Sequence, residues 1–119
     1  MIDLHCHMLP GIDDGPDTLE QSVAMARLAV KNGIRKAVLT PHLHPGRYDN
    51  NFYTIFRKYK EFESVLNLLD IPLELGMAAE IRLGEEILPF FKKAIIPSLG
   101  EFDGYKVILL EFPHSHIPL

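Results

Sequence analysis

Apolar positions along the chain form two long stretches with helical spacing, separated by short apolar runs. Within residues 19–30 and 52–69 the apolar side chains recur at steps of three and four, which predicts two amphipathic helices. The second stripe is the strongest periodic signal in the chain, and we interpret it as core packing. A weaker helix is predicted over residues 84–93, where Pro89 interrupts the pattern. The two stripes consist of Leu19, Val23, Ala26 and Val30, and of Phe52, Ile55, Tyr59, Phe62, Leu66 and Leu69.

Polar and glycine residues at the ends of these stretches predict where the helices begin and end. Asp17 stands three residues before Glu20, a spacing typical of a capping box, so the first helix is expected to begin there. Gly33 follows its last periodic residue and is expected to end it. Asn51 precedes the second stripe and can cap that helix.

Four short apolar runs predict strands over residues 2–5, 37–39, 72–79 and 105–110. The last run is continuously apolar, as buried parallel strands are. The resulting order is β-α-β-α-β-α-β, and this alternation predicts an α/β fold with a parallel sheet or barrel.

Composition and charge narrow the class of protein. A length of 119 residues allows one small domain, and a net charge of −4 gives no reason to expect nucleic acid as a partner. The longest apolar run, residues 107–110, is too short to span a bilayer, and the first residues lack the pattern of a signal peptide. A single cysteine excludes an intrachain disulfide and fits a reducing compartment. We therefore expect a cytoplasmic protein without membrane insertion.

Potential metal ligands follow each predicted strand. In parallel α/β folds the functional face lies at the carboxyl ends of the strands, and side chains at i and i+2 of a strand share a face. Imidazoles and carboxylates without thiolates suit Zn, Mn or Fe in a reactive site, and carboxylates can bridge two ions. The candidate ligands, in chain order, are His5 and His7, Asp14 in the first loop, His42, Glu80 and Glu111.

Other polar residues near these positions have simpler interpretations. Asp13 belongs to an Asp-Asp-Gly-Pro turn sequence, and we expect it to shape the turn and not to bind metal. Arg47 and Arg82 could bind phosphate through paired hydrogen bonds, although exposed arginines commonly have no such role. His44 is expected to face solvent. His114-Ser-His116 repeats the His-x-His spacing and could fill a coordination position, or could face solvent.

Cys6 does not fit the nucleophile of a cysteine-dependent phosphatase. Those enzymes use Cys-x5-Arg, which would need arginine at position 12, where this chain has Ile12. We therefore interpret Cys6 as a small buried hydrophobic residue.

Several short motifs together resemble one known family. Residues 3–7 (Asp-Leu-His-Cys-His) and 9–15 (Leu-Pro-Gly-Ile-Asp-Asp-Gly) resemble the opening of the PHP (polymerase and histidinol phosphatase) superfamily. The similarity is greatest to bacterial metal-dependent protein-tyrosine phosphatases of the CpsB/CapC/YwqE type. The later motifs of that branch resemble residues 40–42 (Thr-Pro-His), 46–48 (Gly-Arg-Tyr), 79–82 (Ala-Glu-Ile-Arg) and 110–113 (Leu-Glu-Phe-Pro).

The resemblance implies a fold and a set of metal ligands. Residues 1–119 would be the amino-terminal part of a single PHP phosphatase domain, contributing the first four β/α units of a distorted (β/α)7 TIM-like barrel. The domain would hold up to three divalent ions, manganese or alternatively Fe, Zn or Mg. By resemblance, His5, His7 and Glu80 bind the first ion, Glu80 bridges to a second ion that Glu111 also binds, and Asp14 and His42 bind the third.

The resemblance also implies a function: hydrolysis of phosphotyrosine by a metal-activated water, without a covalent phospho-enzyme. The expected substrates are the tyrosine-rich tails of bacterial kinases that control capsule or exopolysaccharide synthesis. The alternatives are another PHP phosphoesterase of the histidinol-phosphate type, or an inactive metal- or phosphotyrosine-binding remnant. Closed barrels usually need about 200 residues or more, so a fragment of a longer protein, a truncated gene and a homo-oligomer of chains completing one another all stay open.

Overall fold

The computed structural model describes residues 1–44, 47–48, 50–82, 100–102, 105–107 and 109–111. These residues contain two helices and eight short strands. In chain order they are β1 (Ile2–Cys6), α1 (Leu19–Lys31), β2 (Lys36–Leu39), β3 (His42–Leu43), α2 (Phe52–Leu68), β4 (Glu74–Met77), β5 (Glu80–Arg82), β6 (Gly100–Phe102), β7 (Tyr105–Val107) and β8 (Leu109–Glu111).

Six of the strands form two parallel three-stranded sheets, in the orders β1-β2-β4 and β3-β5-β8. The backbone N–H of Ala78 donates to the carbonyl of Leu39 over 2.8 Å, and that of Glu80 donates to the carbonyl of Pro41 over 2.9 Å. These hydrogen bonds connect the chain across the short gaps that separate β2 from β3 and β4 from β5. The predicted α/β fold with parallel strands is confirmed, and within each sheet the strands lie side by side in the order in which they occur along the chain.

Two of the predicted strands differ from the observed ones. The strand predicted over residues 72–79 is shorter, because β4 ends at Met77 and a separate strand, β5, begins at Glu80. The single buried strand predicted over residues 105–110 is wrong. There, β7 pairs antiparallel with β6 while β8 pairs parallel with β5, and Leu110 is 40% exposed. An apolar run does not show which partner each part of a strand pairs with.

The helix ends show how local polar residues select a start site. The capping box of α1 is formed by Thr18 and Gln21, one residue later than the predicted pair Asp17 and Glu20. The Gln21 side chain accepts from the backbone N–H groups of both Asp17 and Thr18, at 2.8 and 3.3 Å. Both residue pairs match the spacing, and this contact decides between them. Asn51 caps α2 as predicted, and Gly33 follows the C-cap of α1 with a positive φ of 87°.

The core lies between the helices and the parallel strands. From the predicted α2 stripe, Ile55, Phe62 and Leu66 are fully buried, whereas Leu69 is 45% exposed just beyond the helix end. The Tyr59 hydroxyl donates to the carbonyl of Leu75 over 3.0 Å, which fixes α2 against β4. The predicted packing face is therefore correct in the middle of α2 and wrong at its last position.

Some predictions fall on residues outside the described ones. These are the helix over residues 84–93 and the His114-Ser-His116 repeat, which stay predictions. Among the described residues, neither helix has the length and hydrophobicity needed to cross a membrane.

Candidate metal centre

The first pair of predicted ligands lies where β1 ends. Between Asp3 and Cys6, β1 makes three residue steps while its partner strand makes two, which is a β-bulge. The Asp3 carboxylate accepts from the backbone N–H of His5 over 3.0 Å within this bulge. A bulge redirects side chains, so simple alternation does not describe the pair. The two imidazoles nevertheless meet, with His5 Nε2 3.1 Å from the Nε2 of His7, which follows the strand.

Glu80 completes a compact group with this pair. Glu80 is the first residue of β5, and its side chain is mostly buried. Its Oε2 lies 3.0 Å from His5 Nε2 and 2.7 Å from His7 Nε2. Ligand atoms about 2.1 Å from one ion lie roughly 3 Å from each other. The spacing of the two imidazoles and the carboxylate therefore suits one divalent ion.

His42, the first residue of β3, faces two carboxylates from opposite sides of its ring. Its Nε2 lies 3.3 Å from Asp14 Oδ1, and its Nδ1 lies 3.1 Å from Glu111 Oε2. Glu80 Oε2 is 3.7 Å from the same Nδ1. His42 and Asp14 are therefore close enough to share an ion, and His42 also borders the group around Glu80 and Glu111.

Two atoms of this group, His42 Nδ1 and Glu111 Oε2, are buried and make no hydrogen bond among the described residues, although they lie 3.1 Å apart. An unsatisfied buried polar atom costs about 1–3 kcal/mol. The other oxygen of Glu111 accepts from the Arg82 guanidinium over 2.6 Å. A cation bound between His42 and Glu111 would satisfy both unpartnered atoms, so these residues fit a metal ion.

The six predicted ligands thus converge where β1, β2, β4 and β8 end, and two of them, His42 and Glu80, are the first residues of β3 and β5. Together with Asp13, their ligand atoms form three overlapping groups, each small enough to surround one ion. The groups are His5, His7 and Glu80; His42, Glu80 and Glu111; and His7, Asp13, Asp14 and His42.

Asp13 has a larger role than the sequence analysis expected. Its Oδ1 accepts from the backbone N–H of Gly15 over 2.9 Å, as the turn interpretation predicts. Its Oδ2 also lies 3.1 Å from His7 Nδ1 and accepts from the backbone N–H of His42 over 2.8 Å. The local sequence gives no signal for the second role, because His42 is 29 residues away. Of the two adjacent aspartates, Asp13 is buried and Asp14 is exposed.

The six predicted ligands line a cleft of about 550 Å³. Arg47, Tyr48 and His44 also line this cleft. The exposed Arg47 guanidinium lies 5.1 Å from the centre of the Tyr48 ring, which stacks on His42 at 5.3 Å. His44 was expected only to face solvent, but it also borders the cleft. Of the two predicted phosphate-binding arginines, Arg47 is in place to meet a ligand, whereas Arg82 pairs with Glu111.

The charges in the cleft favour cations. The hydrogen bond with Asp13 raises the pKa of His7, against the opposing effect of burial. Burial by itself would raise the pKa of Asp13, but hydrogen bonds from His7 and from the backbone of His42 and Gly15 hold it below its ordinary value. With further carboxylates at Asp14, Glu80 and Glu111, the cleft would repel a phosphate group unless bound cations offset the charge.

Cys6 lies beside this centre but faces the core. It is buried with the core side chains, and burial, together with the nearby charge of Asp3, raises its pKa to about 11. A thiol with this pKa is protonated at neutral pH and is a poor nucleophile. The interpretation of Cys6 as a small buried hydrophobic residue is supported.

Comparison with known proteins gives one family for nearly the whole chain. Residues 1–117 match the model of the family described as capsular polysaccharide synthesis, CpsB/CapC. Tyrosine-protein phosphatase YwqE of Bacillus subtilis is 39% identical over 118 residues, which are 99% of this chain and 45% of that protein. Tyrosine-protein phosphatase CpsB of Streptococcus agalactiae is 29% identical over 112 residues, 94% of this chain and 45% of that protein.

A solved structure gives the same picture. It belongs to a study of YwqE from Bacillus subtilis and CpsB from Streptococcus pneumoniae, described there as unique metal-dependent tyrosine phosphatases. It superposes with a TM-score of 0.85 at 38% identity, over 99% of this chain and 47% of that one. The chain therefore spans less than half the length of the relatives it matches.

Proposed function

Because this chain belongs to the CpsB/CapC family, we propose that it forms the amino-terminal part of a metal-dependent protein-tyrosine phosphatase domain. The proposal rests on the relatives that are named tyrosine-protein phosphatases and on the centre described above. We propose that residues 1–119 are part of a single PHP domain. The rest of that domain would correspond to the part of the relatives that this chain does not cover.

One observation carries the metal-dependent part of the proposal. Glu80 Oε2 lies within 3.7 Å of a ring nitrogen of each of three histidines, His5, His7 and His42. A buried carboxylate oxygen shared by three imidazoles is the arrangement expected for a ligand that bridges two ions. The ligand sets proposed are His5, His7 and Glu80 for one ion, Glu80 and Glu111 for a second, and Asp14 and His42 for a third. The orientation of His42 supports its contact with the second set as well.

The order of the strands supports the barrel part of the proposal. In both parallel sheets the strands lie side by side in chain order. A doubly wound sheet would instead reverse its strand order at a switch point. The described strands are therefore consistent with the first four units of a distorted (β/α)7 barrel whose carboxyl-end face carries the centre.

When bound, divalent cations would neutralise phosphate charge and activate water for attack on phosphorus. Hydrolysis would form a bond from the water oxygen to phosphorus, break the bond from phosphorus to the phenolic oxygen, and leave the tyrosine hydroxyl protonated. The exposed Arg47 guanidinium at the cleft would bind non-bridging phosphate oxygens and orient the ester. Carboxylates and imidazoles without thiolates favour manganese or iron, with zinc and magnesium as further candidates.

The proposed substrates are tyrosine-phosphorylated proteins, in particular the tyrosine-rich tails of bacterial kinases that control capsule or exopolysaccharide synthesis. The family description names capsular polysaccharide synthesis, which supports this choice. The substrate chemistry requires a site that a phosphorylated side chain can enter, and the centre lies in a cleft of about 550 Å³.

Turnover of three esters by the purified chain tests the proposal: a phosphotyrosine peptide, p-nitrophenyl phosphate and histidinol phosphate. We expect manganese-dependent hydrolysis of the two aryl esters, loss with EDTA, and loss in Glu80→Gln but not in Glu74→Gln, a control at an exposed position of β4. Preferred hydrolysis of histidinol phosphate would replace the tyrosine phosphatase with the other PHP enzyme. Absence of hydrolysis with manganese present would favour the binding remnant, and light scattering would show whether the sample is a monomer or a homo-oligomer.

A further inference from the structure

The buried carboxylate of Asp13 joins the two histidine-bearing segments of the centre. Its side chain is 1% exposed. Its Oδ2 accepts from the backbone N–H of His42 over 2.8 Å and lies 3.1 Å from His7 Nδ1, while Oδ1 accepts from Gly15 over 2.9 Å. With these contacts, most of the lone pairs of the carboxylate have partners, so Asp13 has little capacity left to bind a metal ion.

Asp14 differs from its neighbour in each of these respects. Its side chain is 56% exposed, and its Oδ1 is 3.6 Å from His7 Nδ1 and 3.3 Å from His42 Nε2. Asp14 therefore has the free oxygens and the access that a ligand needs. The side chain of Asp13 therefore points into the protein, whereas that of Asp14 points into the cleft.

The contact with Asp13 determines which nitrogen of His7 carries the hydrogen. An ionised carboxylate can only accept, so His7 Nδ1 must be the donor. In a neutral imidazole, Nε2 then has the lone pair. Nε2 is the atom that lies 2.7 Å from Glu80 and 3.1 Å from His5 Nε2. The hydrogen bond thus presents the free nitrogen of His7 toward the group that suits a metal ion.

The buried side chain of Asn50 also holds His42 against the loop that follows β1. The Asn50 amide donates to the carbonyl of His42 over 2.8 Å and to the carbonyl of Ile12 over 3.1 Å. The backbone N–H of His42 is held by Asp13 and its carbonyl by Asn50. The start of β3 is therefore fixed against the loop that follows β1 from both sides.

From these contacts we infer that Asp13 is a positioning residue that sets the tautomer of His7 and fixes His42 beside it. The consequence for metal affinity rests on the proposed function, whereas the tautomer of His7 depends on the contact itself. Hydrogen-bond partners of this kind typically change metal affinity by roughly 10- to 100-fold.

Asp13→Ala and Asp13→Asn test the inference, with Asp17→Ala as control because Asp17 is an exposed carboxylate of the same loop. The first readout is the ¹⁵N spectrum of the histidine rings without metal, at alkaline pH where the imidazoles are neutral. His7→Gln assigns the His7 signals. We expect the Nδ1–H tautomer in the wild type and Asp17→Ala, and its loss in Asp13→Ala.

The second readout is the manganese dissociation constant. We expect it to rise roughly 10- to 100-fold in Asp13→Ala and by less in Asp13→Asn, which keeps an acceptor oxygen. Asp13→Ala with the same His7 tautomer and affinity as Asp17→Ala would overturn the inference. If Asp13→Ala does not fold, an Asp13→Asn affinity equal to that of Asp17→Ala would overturn it. A wild-type chain that binds no manganese would refute the proposed function, and the tautomer would still decide the role of Asp13.

Discussion

Arg82 and Glu111, the last residues of β5 and β8, face each other across the second sheet with a guanidinium nitrogen 2.6 Å from Glu111 Oε1. Their backbones are paired in register in the parallel sheet. This contact fixes one carboxylate oxygen and leaves the other, Oε2, 3.1 Å from His42 Nδ1. Arg82 thus orients a candidate metal ligand and has its charge partly neutralised before any phosphate enters the cleft.

We therefore predict different effects for the two candidate arginines. Arg82→Gln removes the charge that orients Glu111, so we expect manganese affinity to fall roughly 10-fold or more. Arg47→Gln leaves the ligands unchanged, so we expect normal affinity and a higher KM for the phosphotyrosine peptide. Equilibrium manganese binding and steady-state kinetics on both variants test the prediction. Equal manganese affinity in the two variants would show that Arg82 has no orienting role.

Gly15 is expected to be required by the centre because of the space around it. A Cβ atom at this position would lie 2.6 Å from the carbonyl oxygen of His7, and backbone atoms cannot easily give way. Gly15→Ala should therefore displace His7 and weaken manganese binding by roughly 10-fold or more. Calorimetric titration with manganese measures the effect.

Gly33→Ala is the matched control for Gly15→Ala. At Gly33 a Cβ atom meets nothing within 4 Å, but φ is +87°, which disfavours alanine. We expect a loss of about 1–2 kcal/mol in the free energy of unfolding and unchanged manganese affinity. If Gly15→Ala behaves like Gly33→Ala, the close approach to His7 does not matter for the centre.

Cys6 is expected to be dispensable for catalysis. Burial, and to a smaller degree the charge of Asp3, raises its pKa to about 11, and its side chain belongs to the core. Cys6→Ala should keep the kcat and manganese affinity of the wild type and lose about 1 kcal/mol of stability through the vacated volume. Hydrolysis of p-nitrophenyl phosphate and urea unfolding measure the two effects. A folded, metal-binding Cys6→Ala chain without activity would contradict the prediction.

Much of the centre could be predicted because its residues follow strands in the sequence. Five of the six candidate ligands come at the end of an apolar run or shortly after it, and Asp14 lies in the loop after the first run. Parallel strands bring their carboxyl ends to one edge, so local patterns were sufficient to group them. The packing faces of the helices were predictable for the same reason. Ile55, Phe62 and Leu66 are seven and four residues apart, which places them on one face of the helix, and all three are buried.

What the sequence did not predict depends on contacts that residue spacing alone does not specify. Two cap motifs overlap before α1, Asp17 with Glu20 and Thr18 with Gln21. The hydrogen bonds that the Gln21 side chain accepts from the backbone select the second one. The burial of Asp13 depends on the backbone of His42. The division of the last apolar run follows from its two strand partners, β6 and β5. None of these partners can be identified from spacing along the chain.

Manganese should stabilise the folded chain, and the amount should depend on which ligand is removed. Ligand at 100 times its dissociation constant adds about 2.7 kcal/mol per site to the free energy of unfolding. Asp14 borders one group of ligands, whereas His42 borders that group and the one around Glu111. We expect Asp14→Asn to lose part of the manganese-dependent rise in Tm and His42→Gln to lose more. Scanning calorimetry with manganese and with EDTA measures these shifts, and Glu74→Gln, exposed on β4, should keep the full rise. Equal rises in the wild type and His42→Gln would mean that the metal does not bind at His42.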